Sequence, residues 1–423
     1  MSFRSNVVVA GLFGNALEWY DFILYANFAP IIAALFFPTK NQLTSILLTF
    51  IVFATGFSVR PFGALIFGYI GDHFGRLRAL IISIYVITLP TFLIGLLPTY
   101  DKIGIAAPLL LTCLRLFQGL AVSGELNSSS TFLVEHAPQN RRGLAGCLVM
   151  GTAFLGILIG AGIAALVTFT LSQTALHTWG WRLPFLFGGI LGVIGIIMRL
   201  RSIETPLFTV SNNKMSSILL VITKYPKQLI LSIFITCIMA VGNYIFIAYI
   251  VTLLVKTQGF ALKDALLINI ISMSVMVIMF PIMGLLSDHF GRKPIFKMGL
   301  VGFILFSVPI FWLISQKQFY LALLGDIALC LTLVPIAALI PTIIAELFPT
   351  EIRNTGTALG YNICLALFGG TAPLIALSLI AYTKNNLAPA GILIICTIIS
   401  FITLKFIEES HKKPLSQISF SQS

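Results

Sequence analysis

Six ionisable side chains stand inside long apolar stretches of this chain: Glu18, Asp21, Arg60, Arg115, Glu125 and Asp326. At the centre of a bilayer an ionised side chain costs about 2.5–3.5 kcal/mol, so six unpartnered groups would cost roughly 15–20 kcal/mol. They must pair with one another or face a wet cavity. The chemistry open to such a set is proton binding. A carboxyl group in a low-dielectric setting favours its neutral form, and a guanidinium beside it favours the ion. An anion that competes for the guanidinium would then change the protonation of the carboxyl. Asp21 or Glu18 is the expected proton site, with Arg115 setting its affinity and with Glu125 and Arg60 in the same set. Pairing that serves insertion alone is the plainer reading of these residues.

The elements that hold these groups follow from composition. Of 423 residues, 58% are hydrophobic and 9% charged, and the mean hydropathy is +1.01. Soluble domains carry about 25% charged residues, so this chain could not cover itself against water. With ~20 apolar residues per passage, its length holds roughly twelve helices and little else. A soluble enzyme and a sizeable extramembrane domain are both excluded. Continuous apolar runs also exclude a β-barrel, whose segments alternate over ~10 residues. The expected passages are 6–33, 44–70, 77–97, 106–135, 143–169, 183–200, 227–255, 264–287, 295–315, 319–345, 356–381 and 388–407. The chain is read as an all-α polytopic membrane protein. Arg4 followed by VVVAGLFG imitates a signal peptide, but the run continues through Glu18 and Asp21 and is expected to be an uncleaved first passage.

Charge sets the orientation. Of the 26 Lys and Arg, 17 fall on the side of the N-terminus and seven on the other, with Arg60 and Arg115 inside passages. That asymmetry predicts both termini in the cytoplasm. It also explains the net charge of +12 without nucleic acid, since no basic helix or aromatic-interleaved groove accompanies it. The six cysteines lie in apolar runs with no CxxC pair and read as small buried side chains. His73 and His289 fall in loops and read as surface residues. No HExxH, Walker A loop or GxSxG elbow occurs, so no enzyme activity, metal or cofactor is expected. An ion gradient or the substrate gradient must supply the energy.

Depth selects partners for the ionisable set. The first passage is centred near residue 19 and runs outward, so Glu18 is central and Asp21 lies about 4 Å further out at 1.5 Å per residue. The fourth is centred near residue 120 and runs inward, which puts Arg115 outward by a similar amount and Glu125 inward. Arg60 also lies inward in its own passage. Depth therefore pairs Asp21 with Arg115 and Glu125 with Arg60. Spacing agrees, because Gly14, Glu18, Asp21 and Tyr25 share one helix face, as do Arg115, Gln118, Val122 and Glu125. Tyr25, Arg115 and Gln118 are candidate substrate contacts. Gly11 and Gly14 leave room for close helix approach. Asp326 falls nearer the outer end of its passage, as a gate or a solvated helix end.

The chain also repeats itself. GYIGDHFGRLR (68–78) recurs as GLLSDHFGRKP (284–294) at an offset of 216, and Glu135, Pro138 and Arg142 recur as Glu346, Pro349 and Arg353 at an offset of 211. Two matches at nearly equal offsets imply two six-helix bundles, 1–200 and 227–408. The segment 201–226 reads as a cytoplasmic linker with room for one interfacial helix, and 409–423 as a short disordered cytoplasmic tail. Parallel repeats of this kind build transporters that rock about a substrate site near the midplane. In the second half GNYIFIAY (242–249) offers Gly242, a local weakness in the helix, and Asn243, Tyr244 and Tyr249 as hydrogen-bonding groups or an aromatic wall for a quaternary ammonium. Ordinary packing or an interfacial belt is the alternative for these tyrosines. Tyr361 and Asn362 are candidates of the same type.

The repeated loops, Gly68-x-x-x-Asp72-x-x-Gly75-Arg76-x-Arg78 and its counterpart with Gly284, Asp288, Gly291 and Arg292, resemble the signature of the major facilitator superfamily. A narrower resemblance is to the metabolite:H⁺ symporters, which include proline/betaine, oxoglutarate, citrate and shikimate carriers. It rests on GNALEWYDF (14–22), RPFGALIFG (60–68), RLFQGLAVSGE (115–125), EHAPQNRRG (135–143), WRLPF (181–185), ETPLF (204–208) and ELFPTEIR (346–353). The resemblance implies the major facilitator fold, two pseudo-symmetric bundles of six helices. It also implies a gating role for the loops, with Asp72 and Asp288 accepting hydrogen bonds from neighbouring helix ends and the arginines bridging passages. Glu135, Arg142, Glu346 and Arg353 belong to the same expected gate. Some proline/betaine carriers bear a C-terminal coiled coil tied to osmotic activation; this chain ends at 423 without heptads, so that control is not expected here.

The expected function is secondary active transport: proton-coupled uptake of a small zwitterionic or carboxylate metabolite by alternating access. The expected setting is a bacterial inner membrane, and the expected partners are the substrate, H⁺ and the lipid bilayer, with the monomer as the working unit. The alternatives are a facilitator or exporter on the same fold, and a non-transporting membrane sensor. Accumulation against a gradient separates them.

Overall fold

A computed structural model describes residues 5–40, 42–208 and 217–415. Among them there are helices and connecting turns but no strand. Lipid offers no partner to backbone N–H and C=O groups, so apolar runs close their hydrogen bonds within each segment. Among the described residues eleven helices are long and apolar enough to cross a membrane, and two shorter ones in series make a further passage. Span one is Ser5–Asn27, span two is Gln42–Ser58 with Arg60–His73, span three Arg76–Leu96, span four Ala106–His136, span five Arg142–Thr170 and span six Arg182–Leu200. Span seven is Pro226–Tyr244 with Ile245–Tyr249 and Ile250–Lys256, span eight Leu262–Phe290, span nine Arg292–Ile314 and span ten Phe319–Leu347. Span eleven is Arg353–Cys364 with Leu365–Gly369 and Ala372–Thr383, and span twelve is Ala388–Lys405.

Local chemistry explains the departures from straight helices. Span two breaks at Val59 because Pro61, in the next turn, has no N–H to donate and its ring crowds the preceding carbonyl. The break leaves Arg60 as the first residue of the second segment, and buried. Span one ends at Asn27, earlier than its apolar run, and Pro30 sits in the first turn of a separate helix, Ala29–Phe36. Spans seven and eleven each carry a π-helical turn, Ile245–Tyr249 and Leu365–Gly369, directly after candidate site residues. Such single turns are often found at functional sites. Gly242 does not weaken its helix. It is regular α-helix, and a Cβ there would come within 2.7 Å of Leu333, so it serves close packing against span ten.

The halves meet where span two packs on span eleven and span five on span eight. Large apolar side chains left exposed, among them Leu89, Ile105, Leu166 and Leu305, mark the lipid face. The interfacial helix expected in the linker is Ser217–Lys224; residues 209–216 lie outside the described residues. Of the tail expected to be disordered, residues up to Leu415 are packed against the protein, with Leu415 on Val134 and Ala345. Residues 416–423 lie outside the described residues.

Candidate functional site

A cleft of about 300 Å³, open solvent included, is lined by Glu18, Asp21 and Phe22 of span one, Gly56 and Arg60 of span two, and Arg115, Gln118, Gly119 and Val122 of span four. Asp21 and Arg115, which depth pairs, are 3.1 Å apart. The same guanidinium nitrogen donates to Gln118 Oε1 at 2.7 Å, and the Tyr25 ring lies 4.2 Å from the Arg115 head. Asp21 Oδ1 accepts a hydrogen bond from Thr91 Oγ1 at 2.9 Å, and Gln118 Nε2 donates to that hydroxyl at 2.9 Å. Asp21, Thr91, Gln118 and Arg115 thus close a ring of hydrogen bonds across spans one, three and four. Thr91 escaped sequence reasoning; its only signal is a hydroxyl in the middle of an apolar passage. Tyr25 does not line the cleft. Its hydroxyl donates to the Thr49 carbonyl at 3.2 Å, and its ring serves as a platform for Arg115.

Glu125 does not pair with Arg60. Its partner is Arg199, near the end of span six, whose two terminal nitrogens donate to the two carboxylate oxygens. Glu125 also accepts from Ser83 Oγ and, at 3.2 Å, from Ser129 Oγ, while Arg199 donates to the carbonyls of Ala10 and Leu80. Both side chains are buried. The pair braces spans one, three, four and six, and Glu125 does not line the cleft. Gly14 makes room for it, since a Cβ there would meet both Arg199 and Glu125. Depth failed here because Arg199 reads as an anchor at the end of an apolar run. A long Arg stem can carry its head away from its own Cα, and this one turns inward.

Arg60 instead faces the other half. It is in hydrogen-bonding contact with Tyr244 of span seven, and Tyr361 of span eleven lies within electrostatic reach of Arg60, Tyr244 and Glu18. Glu18 lies within reach of Arg60, Asp21, Glu125 and Arg199, and its Oε2 is buried without a hydrogen-bond partner. Residues of both halves therefore converge on Arg60. Asn362 Nδ2 reaches across to the Ser123 carbonyl at 3.2 Å. Asn243 turns back on its own helix, donating to Met239 Sδ at 2.9 Å. Tyr249 is buried in the second half with its ring 6.4 Å from that of Phe311, and takes no part in the cleft.

The signature loops form two matched closures at one end of the molecule. Asp72 accepts from the N–H groups of Asn354 and Thr355 at 3.0 and 2.9 Å, across the halves and at the N-terminus of span eleven. Asp288 does the same to Gly143 and Leu144, at 2.7 and 2.8 Å, at the N-terminus of span five. A helix N-terminus presents unsatisfied N–H groups and a positive dipole end, which suits a carboxylate. Arg76 bridges Asp72 and Glu135, each at 3.3 Å, and Arg353 reaches Glu135 at 2.7 Å. In the second copy Arg292 bridges Asp288 at 2.8 Å and Glu346 at 3.4 Å, and Arg142 reaches Glu346 at 3.1 Å. Each loop turns through a glycine with positive φ, Gly75 at 110° and Gly291 at 105°. Gly68 packs on Thr355 and Gly284 on Leu144 and Cys147. Arg78, expected among the gate residues, is exposed and forms no ion pair among the described residues.

Two further carboxylates cap these loops, and neither was singled out in the sequence. Glu204, after span six, accepts from the Leu77 N–H, and Glu409, after span twelve, accepts from the N–H groups of Arg292 and Lys293 at 3.0 and 2.8 Å. The tail goes on to cross the halves. Ser410 Oγ donates to Glu346, while Arg142 donates to the carbonyls of Ser410 and Lys413 at 3.2 and 2.7 Å.

Two helical bundles of repeated sequence, a polar cleft in the first whose Arg60 meets Tyr244 of the second, and paired closures at one end define a membrane transporter. The model of the Major Facilitator Superfamily matches residues 11–373, and the chain belongs to that superfamily. Among curated relatives it is 33% identical to the glycine betaine/proline/ectoine/pipecolic acid transporter OusA of Dickeya dadantii, over 97% of this chain and 84% of the relative. Its fold is similar to that of the proton:xylose symporter XylE bound to 6-bromo-6-deoxy-D-glucose, with a TM-score of 0.83 at 17% identity, covering 99% and 98% of the two chains. Against the inward open conformation of the xylose transporter XylE from E. coli the TM-score is 0.64 at 15% identity, covering 97% and 98%. The chain is thus a multi-pass transporter of the bacterial inner membrane.

Proposed function

We propose that this protein couples proton entry to uptake of a small zwitterion of the proline or betaine class, by alternating access of the cleft between its halves. The observation that carries the reading is the Asp21–Arg115 pair in the cleft wall. Protonation of Asp21 removes the charge that holds Arg115. The guanidinium is then available to the substrate carboxylate, a charge-assisted and potentially bidentate contact. Glu18, with an oxygen free of protein partners, and the Tyr244 and Tyr361 rings supply the side that favours a cationic nitrogen. Zwitterionic substrates of the relative OusA support that substrate class. Substrate and proton bind together, and neither alone completes the charge balance of the cleft. No covalent step and no cofactor enter; the proton gradient is the energy source, and a single chain carries the whole cycle.

The signature-loop end is the cytoplasmic end in this reading, with both termini in the cytoplasm, as the Lys and Arg asymmetry favours. The structure then represents a state closed to the cytoplasm. Purified protein in proteoliposomes tests the proposal with labelled proline, glycine betaine and di- and tricarboxylates, with and without an imposed pH gradient. Accumulation of a zwitterion driven by external acid is the expected result. Equilibration without accumulation makes the protein a facilitator, and accumulation of carboxylates alone, or dependence on sodium, overturns the assignment.

A further inference from the structure

Asp326 stands apart from every contact described so far. It lies on span ten in the second half, fully buried, with no ion-pair partner among the described residues and with the side chains of Ser272 and Asn269 as its hydrogen-bonding neighbours. Its polar neighbours are Asn269 and Ser272, which lie three residues apart on span eight and so share one helix face. The Ser272 hydroxyl is likewise buried, beside the carboxylate. Adjacent Gly325 packs on Ile310 and Ile314 of span nine. The one titratable group on which Asp326 acts is Cys330, a turn along its own span, and no Lys, Arg or second acid faces it among the described residues. The sequence reading of a solvated helix end does not survive this burial.

An ionised carboxylate with no cation beside it in such a place carries a penalty that native proteins avoid by neutralising the group. A neutral acid would need one acceptor for its proton, and Ser272 Oγ or Asn269 Oδ1 can provide it. We propose that Asp326, Ser272 and Asn269 form a second proton-binding site, in the half opposite Asp21, which holds a proton in the conformation described here. Asn269 links the site to the transport path. Its amide donates at 3.0 Å to the carbonyl of Phe246, in the π turn of span seven that follows Tyr244. Loss of the proton would pull the Asn269 and Ser272 donors toward the carboxylate and release that carbonyl. The proton at Asp326 thus biases the π turn of span seven, and with it the placement of Tyr244 against Arg60. One proton moves on and off a carboxyl oxygen; no other bond changes. Sodium fits less well, since a carboxylate, one hydroxyl and one amide oxygen leave it short of the oxygen shell that hard cations require.

The inference rests on the transport reading only for its consequence, so it is tested first by a measurement independent of transport. Infrared spectra of the intact protein in lipid should show a protonated carboxylic-acid carbonyl band at neutral pH, where an ordinary Asp is ionised. That band should be lost in Asp326→Asn and should move to another frequency in Ser272→Ala. In proteoliposomes Asp326→Asn should retain substrate counterflow, which confirms its fold, and should shift the pH dependence of its turnover while that set by Asp21 remains. Spectra of wild type and Asp326→Asn that superimpose in this region would overturn the site, even if acid-driven uptake by wild type is robust. Disappearance of the band on adding sodium at fixed pH would overturn the proton assignment. A band that behaves as expected in a protein without acid-driven uptake would leave this site standing and remove the coupled-uptake reading instead.

Discussion

Removing the carboxylate of Asp72 should unseat the closed end of the molecule by a calculable amount. Asp72 accepts two backbone N–H groups from Asn354 and Thr355 across the halves. Hydrogen bonds to a charged group contribute about 1.5–3 kcal/mol each, and a charge at a helix N-terminus about 0.3–1 kcal/mol more. Asp72→Ala should therefore withdraw roughly 3–7 kcal/mol from the closed arrangement, wherever the halves separate in the alternative state. A closed state favoured 99:1 is brought to parity by about 2.7 kcal/mol, so even the lower figure suffices. Spin labels at Arg78 and Glu351, both exposed and on opposite halves, report the separation in a background lacking the exposed Cys113. Wild type should give one short distance. Asp72→Ala should add a longer component of at least comparable amplitude, and Asp72→Ala with Asp288→Ala should leave little of the short one. Distance distributions unchanged in a folded double variant would refute the reasoning, because they would mean that these bonds do not distinguish the two states.

Asp21→Asn should abolish accumulation driven by external acid while sparing substrate exchange in proteoliposomes; acid-driven accumulation at the wild-type level would exclude Asp21 as the proton site. Arg199→Ala leaves Glu125 as an uncompensated buried charge and should cost about 3–5 kcal/mol, read as a clear fall in the thermal midpoint. The double variant Arg199→Met with Glu125→Met should recover much of that loss, and failure to do so would point to a role beyond bracing. Glu409→Ala removes the cap on Arg292 and Lys293. It should loosen the second closure less than Asp288→Ala does, measured between labels at Arg141 and His289, because the bonds from Arg142 to the tail remain. An effect equal to that of Asp288→Ala would make the tail the principal fastening.

Burial of apolar side chains in lipid is a property of composition summed along a window, so the passages, their alternation and the excess of Lys and Arg on one side could be read from the residues alone. The repeat of DHFGR needed no coordinates either, and it announced two equivalent closures before Asp72 and Asp288 were seen on opposite helix ends. Helix rise converts sequence number into depth, which brought Asp21 to Arg115. Depth and period leave the rotation of each helix, and the reach of each long side chain, undetermined. Those decided that Glu125 takes Arg199, that Arg60 turns to Tyr244, and that Asp326 faces Ser272 with no cation. Thr91, Glu204 and the tail at 407–415 found their places only when non-adjacent spans came together. Hydropathy acts residue by residue, whereas a hydrogen bond between distant spans exists only once packing has set both ends.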